Sequence, residues 1–299
     1  MKLYSPAVVK QLMEKHKFHF QKGLGQNFLI DGNIVNKIVE AAEVTHEDVV
    51  VEIGAGIGTL TKALAARAAR VIVIEIDRKL WPILGETLAG CDNVEIVFGN
   101  AMNTDFNNLV LEKTGGEHGP GGKTFKIVAN LPYYITTPLI MHALESHFNI
   151  KTMVLMIQKE VAERMLAGPG TKDYGALTLA IQYYTDPEHV FRVPKKVFMP
   201  QPEVESSVVR FNVRGNPPVA VDDEKVFFRV VRAAFGQRRK TLSNSLSGIS
   251  EQIEKKRIMD IMSDLGIDPG RRGETLNFGE FAAIANAVYR LEADIVASD

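Results

Sequence analysis

Val51-Glu52-Ile53-Gly54-Ala55-Gly56-Ile57-Gly58-Thr59 runs from an apolar stretch into glycines at every second position, and Leu60 to Arg67 follows with helical spacing of its apolar residues. The reading is a buried strand, a tight turn and a helix. Glycine in such a turn lets the backbone pass close to a ligand with no Cβ in the way. The spacing is Gly-x-Gly-x-Gly, not Gly-x-Gly-x-x-Gly, so the turn alone fits NAD, FAD or simple close packing. Outward from Val49 to Ile53, the runs Val71 to Ile76, Val94 to Phe98, Phe125 to Ala129 and Thr152 to Ile157 have the composition of strands buried on both faces. They alternate with amphipathic stretches, which is the pattern of a doubly wound, Rossmann-like α/β sheet. Val190 to Val193 and Ser207 to Val213, with a proline-rich loop from Phe198 to Pro202 between them, are expected to pair antiparallel at the sheet edge and bring the strands to seven.

Arg-Gly-Asn-Pro-Pro at Arg214 to Pro218 breaks this pattern. Beyond it, helical periods run over Glu224 to Phe235, Thr241 to Leu246, Ile253 to Leu265 and Phe278 to Leu291. The expectation is an α/β domain over residues 1–213 and a small C-terminal α-helical domain over 214–299. The glycine-rich stretch Gly115 to Lys123 is not a phosphate-binding loop, because Glu117 occupies the place of its first glycine and the stretch leads into a strand. It reads as a flexible surface connection.

The chain has 299 residues, 45% of them hydrophobic, enough for a sizeable core. A single cysteine, Cys91, permits no internal disulfide and has no neighbouring ligands at zinc spacing, so no metal is expected. There is no apolar N-terminal stretch of signal-peptide length and no run of eighteen apolar residues, which points to the cytoplasm. The formal net charge is -1, yet Met1 to Ile30 carries five lysines against one acid, and Asp186 to Arg272 carries sixteen Lys/Arg against twelve Asp/Glu. Such asymmetry suits a protein that holds a polyanion with one face, and it also occurs on ordinary solvated surfaces.

Glu75 stands near the end of the second strand, 21 residues past Gly54, where a carboxylate can accept both ribose hydroxyls of an adenosine. Gly99-Asn100-Ala101-Met102 ends the third strand; Asn100 either accepts from an adenine amine or simply forms the turn. The fourth strand ends in Asn130-Leu131-Pro132-Tyr133, at the carboxyl edge where open α/β sheets bind ligands. An exocyclic adenine amine is a poor nucleophile because its lone pair is delocalised into the ring. An asparagine oxygen at Asn130 and the Leu131 carbonyl before Pro132 can accept both of its hydrogens, favouring a pyramidal nitrogen aimed at an electrophilic methyl. Tyr133 offers a ring on which the base stacks, worth roughly 1–3 kcal/mol.

On these residues the chain resembles the KsgA/RsmA family of rRNA adenine N6,N6-dimethyltransferases. Gly23 to Leu29, Val51 to Thr61, Phe198 to Ser206 and Ala234 to Leu242 carry the resemblance together with Asn130 to Tyr133, and it spans nearly the whole chain. It implies a methyltransferase sheet, S-adenosylmethionine as cofactor and no membrane partner. It further implies Asn27, Leu29, Gly54, Gly56, Glu75, Asn100 and Asn130 as cofactor residues, with Phe198 approaching the target base opposite Tyr133. The implied substrate is a pair of adjacent adenines in the 3′-terminal hairpin loop of 16S rRNA, within the small ribosomal subunit or its precursor, each methylated twice. Loop bases are already partly unstacked, which lowers the cost of extruding them. Arg238, Arg239 and Lys240, on a helix of the second domain, and Arg271 with Arg272 would contact phosphates. One departure is Asn100, where the family pattern usually has Asp. Other readings are a DNA adenine methyltransferase, a ribosome-assembly factor in which methylation is secondary, and a nicotinamide-dependent dehydrogenase, though the last lacks a catalytic His/Lys/Tyr constellation.

Overall fold

In the computed structural model, which describes residues 1–250 and 253–298, the chain divides into two compact units. The first comprises Met1–Ala162 and Pro187–Val213; the second comprises Glu163–Asp186 and the chain from Arg214 onward. The segment Glu163–Asp186, expected in the α/β domain, therefore belongs with the helical unit. Its sequence gives the reason: Leu179, Ile181 and Tyr183 lie on a helix and are buried, so that segment needs apolar partners of its own.

The strands are β1 (Phe28–Leu29), β2 (Val49–Ile53), β3 (Arg70–Glu75), β4 (Val94–Phe98), β5 (Phe125–Asn130), β6 (Ile150–Gln158), β7 (Thr185–Val193), β8 (Phe198–Met199) and β9 (Ser206–Val213). Seven of them form one sheet in the order β4-β3-β2-β5-β6-β9-β7. β2 pairs parallel with β3 on one side and with β5 on the other. The chain thus leaves β2 toward β4, then returns to start again at β5. The two adjacent carboxyl ends, Ile53 of β2 and Asn130 of β5, flank the switch point where a crevice opens in such sheets. All five residues of β2 are buried, as a strand covered on both faces requires. β9 runs antiparallel to β6 and separates it from β7, so β7 holds the edge with an irregular, half-exposed face.

The helices of this part are α1 (Pro6–Lys15), α2 (Gly32–Ala41), α3 (Thr59–Ala65), α4 (Trp81–Thr87), α5 (Phe106–Lys113) and α6 (Thr136–Glu145). α2 begins where the Asp31 side chain accepts from the N–H groups of Asn33 and Ile34. Phe198 to Pro202 is not wholly a loop: β8 pairs with β1, setting Phe28 against Met199 and Leu29 against Phe198. The apolar content of Phe28-Leu29 and Phe198-Met199 explains it, since all but Met199 are buried in the same core as Ile57 and Leu60. The stretch Gly115 to Lys123 is a tight folded loop, not a loose connection. Gly119 donates to the Lys123 carbonyl at 3.1 Å, and Asn149 Nδ2 donates to the Gly119 carbonyl at 2.7 Å.

Helix α7 (Lys159–Leu166) leads into the second unit, which contains α8 (Ala176–Tyr184), α9 (Glu224–Gly236), α10 (Leu242–Ser245), α11 (Lys255–Asp264) and α12 (Phe278–Ser298). An aromatic cluster of Tyr183, Phe227, Phe228 and Phe278 fills it; the Tyr183 and Phe227 rings stack at 5.2 Å. No helix among the described residues is long and apolar enough to cross a membrane.

Candidate active site

A cavity opens at the carboxyl ends of β2, β3, β4 and β5 and is walled on one side by the segment Leu24 to Leu29. Gly54, Gly56 and Gly58 all have left-handed φ, at 76°, 58° and 82°. Their surroundings differ. A Cβ on Gly54 would meet nothing within 4 Å, so that glycine faces open cavity, whereas one on Gly56 would stand 3.0 Å from the Phe28 ring. Gly54 thus leaves the backbone open to a ligand, and Gly56 admits the N-terminal segment.

Glu75 is buried, with Oε2 accepting from Gly56 N–H at 3.3 Å and Oε1 from Asp77 N–H at 2.9 Å. Burial raises its carboxyl above the usual range against the pull of those N–H groups. Asp77 is buried too, and its Oδ2 accepts from Gln21 Nε2 at 3.0 Å and Gln26 Nε2 at 2.6 Å. At the other end of the same segment, Asn130 Nδ2 donates to the Asn27 carbonyl at 3.1 Å. That bond fixes which way the Asn130 amide faces and leaves its oxygen as an acceptor. The N-terminal segment is therefore strapped to β3 and β5 at once. Sequence reasoning missed Gln21, Gln26 and Asp77. Gln26 lay in a stretch it had singled out, but no spacing rule links a glutamine to an aspartate 51 residues away. Ile76, half-exposed between the two acids, gives the cavity an apolar wall suited to a flat ring.

Glu52 was also missed. It lines the cavity at 1% exposure, and among the described residues its Oε2 has no hydrogen-bond partner. Burial pushes its carboxyl up to about 8, with the nearby Glu75 charge adding to the effect. The available signal was a carboxyl inside a strand apolar on both faces, where an unpaired acid is costly.

Asn100 lines the cavity, but its Oδ1 accepts from Met102 N–H at 3.0 Å, so one of its acceptor directions is spent on the turn. Leu131 N–H donates to the Met156 carbonyl at 3.1 Å, and the Pro132 carbonyl accepts from Thr136 Oγ1 at 3.2 Å, which hold the tetrapeptide Asn130 to Tyr133 against β6 and α6. The Tyr133 hydroxyl lies 2.9 Å from Ser206 Oγ, and burial raises the phenol further from ionisation. Tyr134, 54% exposed, also lines the cavity. Leu29 lines it with a buried side chain. Phe198 does not: it is 4% exposed and lies in the core. Among the described lining residues there are two carboxyl groups, Glu52 and Glu75, and no Lys, Arg or His.

In the second unit, Arg238, Arg239 and Lys240 are exposed on a turn, not on a helix. α9 ends at Gly236, and Gln237 takes non-helical angles, φ -135° and ψ 70°. Arg238 Nη2 donates to the carbonyl of Lys172 at 2.6 Å. Arg271 is committed locally: it donates to both oxygens of Glu280 and to the Thr275 carbonyl, and that pairing lowers the Glu280 carboxyl. Arg272 is exposed. Among the described residues no group of three or more His, Cys, Asp or Glu could hold a metal ion.

A family model described as ribosomal RNA adenine dimethylase matches residues 17–288. Over 283 residues the chain is 53% identical to Ribosomal RNA small subunit methyltransferase A of Pelotomaculum thermopropionicum, covering 95% of this chain and 96% of that one. It is 56% identical to the protein of that name from Moorella thermoacetica, covering 90% and 92%. Among solved structures, a dimethyladenosine transferase from Plasmodium falciparum matches with TM-score 0.72 and 28% identity, over 86% of this chain and 95% of that one. The 23S rRNA methyltransferase ErmE matches with TM-score 0.66 and 26% identity, over 88% and 100%.

Proposed function

The chain belongs to the ribosomal RNA adenine dimethylase family, and on that premise we propose that it uses S-adenosylmethionine to dimethylate the N6 amines of two adjacent adenines in the 3′-terminal hairpin loop of 16S rRNA. One observation carries the choice of cofactor: the described cavity lining holds two carboxyls and no basic side chain. That lining offers carboxyl acceptors for the hydroxyls of a nucleoside and no cation to pair with the pyrophosphate of a dinucleotide. Bound there, S-adenosylmethionine supplies an electrophilic methyl group on a positive sulfur. The residues fit it: Gly54 leaves the backbone open, Glu75 presents a carboxyl for the ribose hydroxyls, Ile76 and Asn100 flank the place of an adenine, and Asn27, Leu29, Gly56 and Asn130 complete the contacts.

Asn130 Oδ1 and the Leu131 carbonyl accept the two hydrogens of the target amine, and Pro132 fixes that carbonyl's direction. The base stacks on Tyr133. Phe198, buried in the core and absent from the cavity lining, reaches the base only if its side chain moves out of that core. Arg238, Arg239, Lys240 and Arg272 supply phosphate contacts, with Arg271 contributing less because Glu280 already neutralises it. The substrate is the small subunit or its precursor in the cytoplasm, a choice favoured by relatives at about 50% identity over the 26% identical large-subunit enzyme. Transfer of labelled methyl groups to purified small subunits lacking the modification, followed by nucleoside analysis, tests this. N6,N6-dimethyladenosine in the 3′ hairpin is expected; no transfer, or transfer to another nucleoside, overturns the reading.

A further inference from the structure

A chain of hydrogen bonds joins the end of β3 to the reacting centre by way of the N-terminal segment. Asp77 Oδ2 accepts from Gln26 Nε2 at 2.6 Å and from Gln21 Nε2 at 3.0 Å, while Asp77 Oδ1 accepts from Lys79 N–H at 3.0 Å. Gln21 N–H donates to Gln26 Oε1 at 2.9 Å, so the Gln26 amide is committed through both its oxygen and its nitrogen. The next residue is Asn27, whose carbonyl accepts from Asn130 Nδ2 at 3.1 Å. Gly25, with φ 58°, lies against the same tetrapeptide: a Cβ there would stand 3.5 Å from the side chains of Pro132 and Tyr134. An acid just past β3 is thereby linked, through one glutamine and one carbonyl, to the amide that orients the target amine.

We propose that Asp77 is a positioning residue for methyl transfer: through Gln26 it holds the Asn27 carbonyl where that carbonyl turns the Asn130 amide, so that Asn130 Oδ1 faces the target amine. This rests on the role given to Asn130 under the proposed function. Asp77 is 5% exposed and is not among the residues lining the cavity, so it acts through the segment and not on a ligand. The chemistry of an acid is specific here. A carboxylate only accepts, so both glutamines present N–H groups to it. An asparagine in its place keeps its oxygen for Lys79 N–H and turns its own N–H groups toward those of Gln21 and Gln26, donor against donor. With that clasp open the Asn27 carbonyl shifts, and the Asn130 amide is free to turn over and present Nδ2 where an acceptor is needed.

Two measurements on the whole chain test the proposal: single-turnover methyl transfer to purified small subunits lacking the modification, at saturating S-adenosylmethionine, and NMR of the free protein isotope-labelled at asparagine. Asp77→Asn should slow transfer about 10- to 100-fold, the range set by losing hydrogen bonds to a charged acceptor. It should also move the Asn130 side-chain amide signal, which is assigned by its absence from Asn130→Ala. Gln26→Glu alone sets two carboxylates against each other and should be slow as well. Combining Asp77→Asn with Gln26→Glu exchanges donor and acceptor, since the new carboxylate accepts from the new amide and from Gln21 N–H. The pair should recover to within about threefold of the parental rate and return the Asn130 signal, a coupling that two independent losses of stability would not show. A parental rate and Asn130 signal in Asp77→Asn, as expected if the pairing of β1 with β8 alone holds Asn27, overturns the proposal with the functional reading intact. So does a double variant no faster than Asp77→Asn. Failure of the parent to transfer methyl at all overturns both. If Asp77→Asn does not fold, Gln26→Met decides, because it removes the donor and spares the bond to Lys79 N–H: a slowed rate with a moved Asn130 signal supports the proposal, and a parental rate overturns it.

Discussion

Several polar side chains of the cleft are bonded to distant segments of chain, whereas the basic residues after α9 and around Gly270, apart from Arg238 with its bond to the Lys172 carbonyl, are exposed or neutralised close to home. Asn130 reaches Asn27, Gln26 reaches Asp77, and Glu75 reaches Gly56. By contrast Arg239, Lys240 and Arg272 are exposed, and Arg271 is closed onto Glu280 nine residues on. The cleft offers geometry held in advance, so its interactions cost little reorganisation when a ligand arrives. The basic turn offers charge without geometry, which attracts phosphate in a graded and salt-dependent way. Substitutions in the first region should therefore have large, position-specific effects, and those in the second small and additive ones.

The sharpest break in that contrast would come from Asn130→Ala, which removes one positioned acceptor and leaves Tyr133 in place. A loss of roughly 10²- to 10³-fold in transfer rate is expected, with RNA affinity little changed. Counting mono- and dimethyladenosine by nucleoside mass spectrometry measures it; near-parental dimethylation would sink the orientation mechanism.

Next in size is a pH effect on the free protein. Glu52 keeps its proton when folded up to about 8, while in the unfolded chain it titrates near 4.5. Between these values the native state binds more protons than the unfolded one, so stability falls as pH rises, by up to about 1.4 kcal/mol per unit. Denaturant unfolding from pH 5.5 to 7.5 should show this fall, and Glu52→Gln should flatten it. An equal slope in the variant would assign the titration elsewhere.

Glu75→Ala should lower S-adenosylmethionine affinity at least tenfold, since hydrogen bonds to a charged acceptor are worth about 1.5–3 kcal/mol each. Unchanged affinity in calorimetry would remove Glu75 from the site. Smallest is the effect of replacing Arg238, Arg239 and Lys240 together by Ala. RNA binding should weaken, cofactor binding should not, and the salt dependence should flatten by up to about one unit of slope per lost contact. Arg271→Ala, by comparison, should destabilise the protein more than it alters that slope, because it strips Glu280 of its partner. A larger slope change from Arg271→Ala than from the triple variant would reverse the comparison.

The elements that could be read in advance are those whose periodicity is local. β2, β4 and β9 lie within a residue of the expected limits, and α9 and α11 cover their expected spans closely. Cavity residues Gly54, Glu75 and Asn130 were legible because strand ends at the carboxyl edge are where such sheets bind ligands. Glu52 was not found by periodicity, since an acid inside an apolar run gives no periodic signal; its signal was compositional, a carboxyl in a strand apolar on both faces. The expected helix at Arg238 to Lys240 is a turn because good helix formers do not continue a helix once Gln237 leaves helical angles.

By itself, the order of apolar runs, glycines and strand-end acids determined the sheet, its switch point and the residue types gathered there, because strand and helix periods and glycine's permitted φ are properties of short segments. Only tertiary structure decided which polar groups are spent and which remain available. It placed Gln26 on Asp77, turned the Asn130 amide onto Asn27, closed Arg271 onto Glu280, buried Phe198 against Leu29 and left Glu52 Oε2 without a hydrogen-bond partner among the described residues. Each of these depends on a contact between segments distant in sequence or on the solvent that packing excludes, and neither distance nor solvent exclusion is written in any local pattern.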